Sequence, residues 1–395
     1  MDTEELKQSM CDYIDTVSSQ LIAISHDLHE HPEERFEEHH AHDVLCRSIE
    51  DAGFAVDRHA FGLPTAFRSR SGSSGPDIAV LLEYDALPGI GHACGHNIIA
   101  AAGLGAGLAA ASLAAAAGGR VTMLGSPAEE GGGGKVLMID QGALDGIDAA
   151  MMVHPADIDL RTMNAIAYHG LDVIYTGEAA HAAAHPWQGR NALDAAVLGY
   201  MNIAALRQHI APTERIHGIF TDGGERPNIV PARAAMNWYV RAADVGALER
   251  LKPRVVAALE AGAAAAGCEL EISWRDPIYA DLVDNSVLSE LYAGNAARLG
   301  RVVREPDAQS AVVGSTDMGN VSHTVPSIHP MIAVSPPGIG IHTPEFAVHA
   351  ASAAGDRAVI DGAKAMAMTI ADLWVTSGTI EAATRAFEQD QQRAR

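Results

Sequence analysis

Asp77-Ile78-Ala79-Val80-Leu81-Leu82-Glu83-Tyr84-Asp85-Ala86-Leu87-Pro88-Gly89-Ile90-Gly91-His92-Ala93-Cys94-Gly95-His96-Asn97 is the stretch on which the fold turns. Asp77–Leu82 is an almost unbroken apolar run, the pattern of a central strand covered on both faces. The loop Glu83–Asn97 then gathers carboxylates, imidazoles and a thiol between glycines. It leads into Ile98–Ala117, which carries no charge over a length that could span a bilayer. That segment is mostly Ala and Gly, which favour lipid weakly, so it predicts a helix buried inside an α/β domain. Polar groups just past a strand end are placed where open α/β sheets bind ligands.

Working outward, the unit recurs. Arg120–Leu124 reads as a strand, Gly125–Gly134 as a loop and Lys135–Gln141 as a helix, while strand Ile147–Val153 ends at His154. Upstream, apolar residues at helical spacing (Ile14, Val17, Leu21, Leu28) predict a helix over Glu4–His31 that stops before Pro32. A second helix is expected over Glu38–Ala52, then strands at Phe54–Phe61 and Thr65–Arg70. From Leu171 to Tyr279 the order changes to strand, helix, strand, strand, helix, strand, which suits an inserted two-layer α+β domain. A helix near Val287–Leu299, a strand at Met331–Val334 and one long helix at Ala351–Thr376 return to the first style, and Glu381–Arg395 is expected to fray. The expected division is 1–169 and 281–395 for one domain and 170–280 for the insert.

Composition bounds the function. Of 395 residues 48% are hydrophobic and 19% charged, enough apolar surface for substantial cores. A formal net charge of −23 repels phosphate backbones and anionic lipid, so neither nucleic acid nor membrane is an expected partner. The four cysteines, Cys11, Cys46, Cys94 and Cys268, are scattered, and beside 19 histidines they point to a metal or catalytic thiol before a disulfide framework. The acidic start, Met1-Asp2-Thr3-Glu4-Glu5, has no apolar core, and a cytoplasmic protein is expected. No Walker lysine motif, His-Glu-x-x-His pair or Gly-x-Ser-x-Gly elbow occurs.

Chemistry concentrates in a few segments. Cys94 and His96 could face one ion if Gly95 bends the chain between them; alternatively Cys94 is a small buried hydrophobe and the histidines cap the next helix. Glu129-Glu130, after an apolar strand and before four glycines, would be costly to bury without cations, yet a bare Glu-Glu pair is also a common solvated turn. His154-Pro155 and the His342 loop (Gly340-Ile341-His342-Thr343-Pro344-Glu345) each offer a single imidazole. The clusters His26/His29/His31 and His39/His40/His42 read as solvated helix faces.

Taken in order, these segments resemble the co-catalytic metallopeptidases of the aminoacylase and glutamate-carboxypeptidase type. The likeness is to the branch of indole-acetyl-amino-acid and aminobenzoyl-glutamate amidohydrolases, and within it to Xaa-Arg (β-alanyl-lysine) dipeptidase-like proteins. It runs from about Leu28 to Thr376 on His29-Glu30-His31-Pro32-Glu33, His92-Ala93-Cys94-Gly95-His96, Pro127-Ala128-Glu129-Glu130-Gly131, His154-Pro155, Gly177-Glu178-Ala179-Ala180-His181, Pro227-Asn228-Ile229-Val230-Pro231, Gly314-Ser315-Thr316-Asp317 and Ile341-His342-Thr343-Pro344. The resemblance implies a three-layer α/β/α catalytic domain with a mixed sheet and an inserted α+β dimerisation (lid) domain. It implies two divalent metal ions, Zn or Mn with Co also compatible, held by Cys94, His96, Glu130, His154 and His342. Glu129 is then the general base and Asp85 supports the metals from behind. His181, Asn228 and Arg241 would meet the substrate carboxylate and the oxyanion, His181 in the site of a second copy of the chain, which implies a homodimer or larger homo-oligomer. Glu83 stands where many members have a ligand His, and Asn97 where an Asp often follows, so any support from Asn97 is in doubt. The expected reaction is hydrolysis of an amide in N-acyl amino acids, dipeptides or arylamide–amino acid conjugates; the alternatives are a dipeptidase preferring basic C-terminal residues and a metal-free binding protein on the same fold.

Overall fold

The structure is a computed structural model that describes residues 2–307 and 313–394. The chain divides into two compact units, Met1–Ala165 with Leu282–Arg395, and Ile166–Asp281.

The first unit is built on a six-stranded mixed sheet in the order Asp57–Arg58, Phe67–Ser71, Arg120–Ser126, Asp77–Glu83, Ala149–Met151, Ser327–Ile328. Asp77–Glu83 runs parallel to both of its neighbours, while Phe67–Ser71 pairs antiparallel with Arg120–Ser126. Its alternation explains the continuous apolar run. Ile78, Val80 and Leu82 enter one core with the helices Thr3–Glu30, His96–Ala117 and Ala353–Val375, and Ala79 and Leu81 enter a second core with Met138, Met318 and Val321. A strand covered on both faces has no solvent face to mark with polar residues. The uncharged helix is likewise a core element, with residues 96–111 all buried.

The main departures lie at chain positions decided by tertiary contact. Only Asp57–Arg58 of the expected strand Phe54–Phe61 pairs, because His59 and Phe61 take positive φ and turn the chain into Ala60–Gly62. The expected helix Ala351–Thr376 is present as Ala353–Val375, capped by the Ser352 hydroxyl, which accepts from Ala354 and Gly355 N–H, and a short helix not expected from the sequence, Pro344–Ala350, precedes it. Thr379–Ala394 is helical where a frayed tail was expected, with Ala383 fully buried and its carbonyl accepting from Asn285 Nδ2 at 2.9 Å. His42, read as part of a solvated face, is buried against the His59 ring.

The second unit carries a four-stranded antiparallel sheet in the order Glu269–Tyr279, Ala167–Thr176, Arg233–Ala242, Arg215–Asp222. Helices Ala192–Leu206 and Val245–Ala266 pack on it around a core that includes Trp238, Leu171, Ile203 and Leu259. Asn191 and Asp244 cap the two helices with their side chains.

Candidate metal centre

Two turns place the donors. Gly95 sits at φ 80 and caps helix His96–Ala117, and a Cβ there would lie 2.8 Å from Pro155 Cγ. Only glycine serves at this position, which puts Cys94 and His96 on either side of a sharp bend. The second turn follows strand Arg120–Ser126, where Ala128 takes φ 57 and its N–H donates to Glu38 Oε1 at 2.9 Å. Glu38 is fully buried and also accepts from the Thr65 hydroxyl at 2.7 Å, so it pins the turn that carries Glu129 and Glu130.

Cys94, His96 and His154 offer ligand atoms within 4.8 Å of one another, as do Cys94, Glu130 and His342, and His96, Glu129 and Glu130. The five proposed ligands and the proposed base therefore converge in the first unit. His154 Nδ1 donates to the Pro155 carbonyl at 2.8 Å, which leaves Nε2 a lone pair 3.4 Å from Cys94 Sγ. His96 Nδ1 bonds Asp85 Oδ1 at 2.9 Å, and Asp85 Oδ2 accepts the Glu130 N–H at 2.9 Å. Asp85 thus orients one imidazole and the backbone of Glu130, the work that a buried carboxylate would do behind a metal. His342 Nε2 lies 3.2 Å from Glu130 Oε1, and its backbone N–H donates to the Ala93 carbonyl at 2.8 Å, tying that loop to the Cys94 turn.

The electrostatics fit a cation. Burial pushes the Cys94 thiol well above its ordinary range, and the Glu130 carboxylate adds to the rise. Burial lowers His154 to about 4, so its ring is neutral. Burial also opposes charge on His96, but Cys94 and Asp85 outweigh it and raise that imidazole. Burial, then the carboxylates of Glu83, Glu130 and Asp317, push Glu129 well above the ordinary carboxyl range. Without a cation, burial favours the protonated Cys94 thiol and a protonated Glu129, and a divalent cation held here would reverse that balance. His96 Nε2 and Glu130 Oε1 are buried without a well-directed hydrogen bond among the described residues, as metal-facing lone pairs would be. Mixed S, N and O donors of this kind suit divalent first-row metal ions.

Of the remaining expected residues, His181, Asn228 and Arg241 belong to the second unit. His181 and Asn228 are brought together by the bridge of His181 to Ile229 and the Ala182 N–H bond to the Asn228 carbonyl at 3.0 Å. His181 Nδ1 accepts from the N–H groups of Ala183 and Ala184, at 3.3 and 3.1 Å, which places the ring proton on Nε2. Arg241 stacks over the rings of Tyr168 and Tyr239 at 4.9 and 5.8 Å. Asn97 is a brace: its Nδ2 donates to Ser25 Oγ and the Ala350 carbonyl, at 2.9 and 3.0 Å.

Sequence reasoning missed Glu38, Lys135, Asp317 as a charged partner, and His329, which is fully buried with its ring 5.1 Å from His154. Of these only Asp317 lies in a segment that carries the resemblance. Glu83 reads in the sequence as a departure, where the structure gives it a partner in Lys135 at 2.5 Å.

Residues 80–372 match the sequence model of peptidase family M20/M25/M40. The Xaa-Arg dipeptidase of Mus musculus is 40% identical over 401 residues, which cover 98% of this chain and 93% of that protein. A p-aminobenzoyl-glutamate hydrolase polypeptide of Escherichia coli (strain K12) is 28% identical, with 98% and 95% covered. Among solved structures, a Bacillus subtilis protein described as a dinuclear metal binding peptidase of the M20 family superposes with a TM-score of 0.72 at 21% identity, covering 92% of this chain and 99% of that one.

Proposed function

The chain belongs to peptidase family M20/M25/M40, and from that membership we propose that it is a metal-dependent amide hydrolase whose substrates are dipeptides ending in a basic residue. The observation that carries the reaction type is the convergence of Cys94, His96, Glu130, His154 and His342 beside Glu129. The substrate class is supported by the 40% identity to Xaa-Arg dipeptidase and by a net charge of −23, which draws cationic substrates in from solution. When bound, the divalent cations supply Lewis acidity, which brings water's pKa down to about 7 and polarises the amide carbonyl.

The chain's own residues do the rest. The Glu129 carboxylate takes a proton from the attacking water and gives it to the leaving amine nitrogen. Its raised proton affinity suits a group that must hold a proton between these two transfers. His181, with its proton on Nε2, is suited to donate to the oxyanion in the site of a second copy of the chain. Arg241 offers a planar fork of parallel donors for the substrate carboxylate.

Release of Arg, Lys or ornithine from β-alanyl and alanyl dipeptides, measured against N-acetyl and aryl-acyl amino acids at equal concentration, tests the substrate class. We expect kcat/KM for basic dipeptides to exceed the others by about tenfold or more, the scale of one good polar discrimination of ~1.4 kcal/mol. Equal rates on neutral and basic C-terminal residues would sink it. Cleavage of p-aminobenzoyl-glutamate alone would favour the second reading, an arylamide–amino acid hydrolase, which the 28% identical relative supports.

We further propose a homodimer formed through the second unit. Strand Arg215–Asp222 is an edge strand with Ile219 65% and Phe220 40% exposed, and helix Ala192–Leu206 exposes Val197, Leu198 and Met201. Phe220 stacks on Tyr200 of that helix with ring centroids 5.7 Å apart, which joins edge and helix into one apolar surface. Unprotected apolar edges of this kind are pairing surfaces. Light scattering should give twice the 41.4 kDa chain mass, falling to one chain for Ile219→Lys; a monomeric wild-type protein would contradict the proposal.

A further inference from the structure

A second group of acids lies against the proposed base. Glu83, Glu129 and Asp317 are buried and bring carboxylate oxygens within 4.8 Å of one another, the same spacing that marks the metal donors. This pocket already holds a cation. Lys135 Nζ lies 2.5 Å from Glu83 Oε1 and 2.6 Å from Asp317 Oδ1, and all three side chains are at most 1% exposed. Asp317 Oδ2 also accepts the Lys135 backbone N–H at 2.9 Å, at the start of helix Gly134–Asp140. The chain therefore fixes both ends of Lys135, ammonium and backbone, with one carboxylate. Glu83 extends the line: its Oε2 stands 3.5 Å from His96 Nε2.

We infer that the Lys135 ammonium takes the place of a metal in a third cation pocket contiguous with the metal centre, and that Lys135 is a positioning residue for Glu129. Three buried carboxylates at this spacing repel one another, and a central positive charge is what lets them share one place. Burial opposes that charge, but Asp317, Glu83 and Glu129 outweigh it and keep Lys135 protonated. An ammonium has no open coordination position and binds no water for attack. It holds Glu83 and Asp317 still, so Glu129 keeps one orientation, and it closes the pocket to a divalent ion that would draw Glu129 into coordination.

The inference rests on the hydrolase reading for its kinetic part alone. Lys135→Ala, dialysed with Zn²⁺ and counted by elemental analysis, should carry one more ion per chain than the wild type. Its kcat should fall about 100-fold with KM little changed, the cost of misplacing a catalytic group by about 1 Å. n-Propylammonium, which replaces the deleted Cγ to Nζ atoms, should restore kcat at least about tenfold and displace the extra ion, while tetramethylammonium does neither. Should Lys135→Ala not fold, Lys135→Met with Asp317→Asn deletes one charge of each sign and carries the test. A low kcat in the folded double variant agrees with positioning; wild-type kcat in it, or in Lys135→Ala with an unchanged ion count, overturns the inference. If the wild type hydrolyses no amide, the hydrolase reading fails and the ion count still decides the pocket.

Discussion

Glu129→Gln lowers kcat by about 10²–10⁴-fold, the range that general acid–base catalysis contributes, and leaves the fold and the metal content intact. Glutamine keeps the shape of the side chain and one carbonyl oxygen but cannot accept a proton from water at neutral pH. The substitution also removes one negative charge from a place shared with Glu83, Glu130 and Asp317. Folding stability therefore should not fall, and a thermal scan should show a Tm equal to or above the wild type's. That combination separates a base from a structural acid, whose loss would lower Tm. It also separates a base from a ligand, whose loss would lower the metal count. Wild-type turnover in Glu129→Gln would remove the base assignment outright.

Chelation produces the other large effect. Stripped of divalent ions, the enzyme should lose activity completely and regain it with Zn, Mn or Co, the ion giving the highest rate being a candidate for the native one. Stability should fall with it, because a ligand bound only by the folded chain at about 100 times its Kd contributes ~2.7 kcal/mol. For the metal-free protein the loss falls on the Cys94 turn and the His342 loop, which are joined by the His342 N–H bond to Ala93. Activity unchanged by exhaustive chelation, with metal absent by elemental analysis, would mean that the chemistry runs elsewhere.

Much of the catalytic unit is legible in the sequence alone. Asp77–Leu82 announces a strand buried on both faces because no polar residue interrupts it, and Asp77–Glu83 is such a strand. The metal donors are legible as a series and not one by one, since each segment taken alone has a bland reading. What brings them together is strand order. Asp77–Glu83 lies between Arg120–Ser126 and Ala149–Met151, so the turns after these strands all meet at one end of the sheet.

The parts that escape the sequence share a cause. Lys135 opens a helix of Val136, Leu137, Met138 and Ile139, and nothing local says that its ammonium meets acids at positions 83 and 317. Glu38 and His329 likewise acquire their meaning from partners far along the chain. Glu381–Arg395 reads as a tail because charged residues are scattered through it with few large apolar ones, but Ala383 buries its side chain and its carbonyl takes a hydrogen bond from Asn285. Periodicity reports the face an element buries; it does not report which polar groups that burial brings into contact.

Cys94, His96, Glu130, His154 and His342 would together hold the divalent cations beside Glu129. Elemental analysis of protein purified without chelators, wild type beside Cys94→Ala, tests this assignment most directly. The account predicts about two divalent ions per chain in the wild type and at most one in the variant. No bound ion in the wild type, or an equal count in the two proteins, would contradict it.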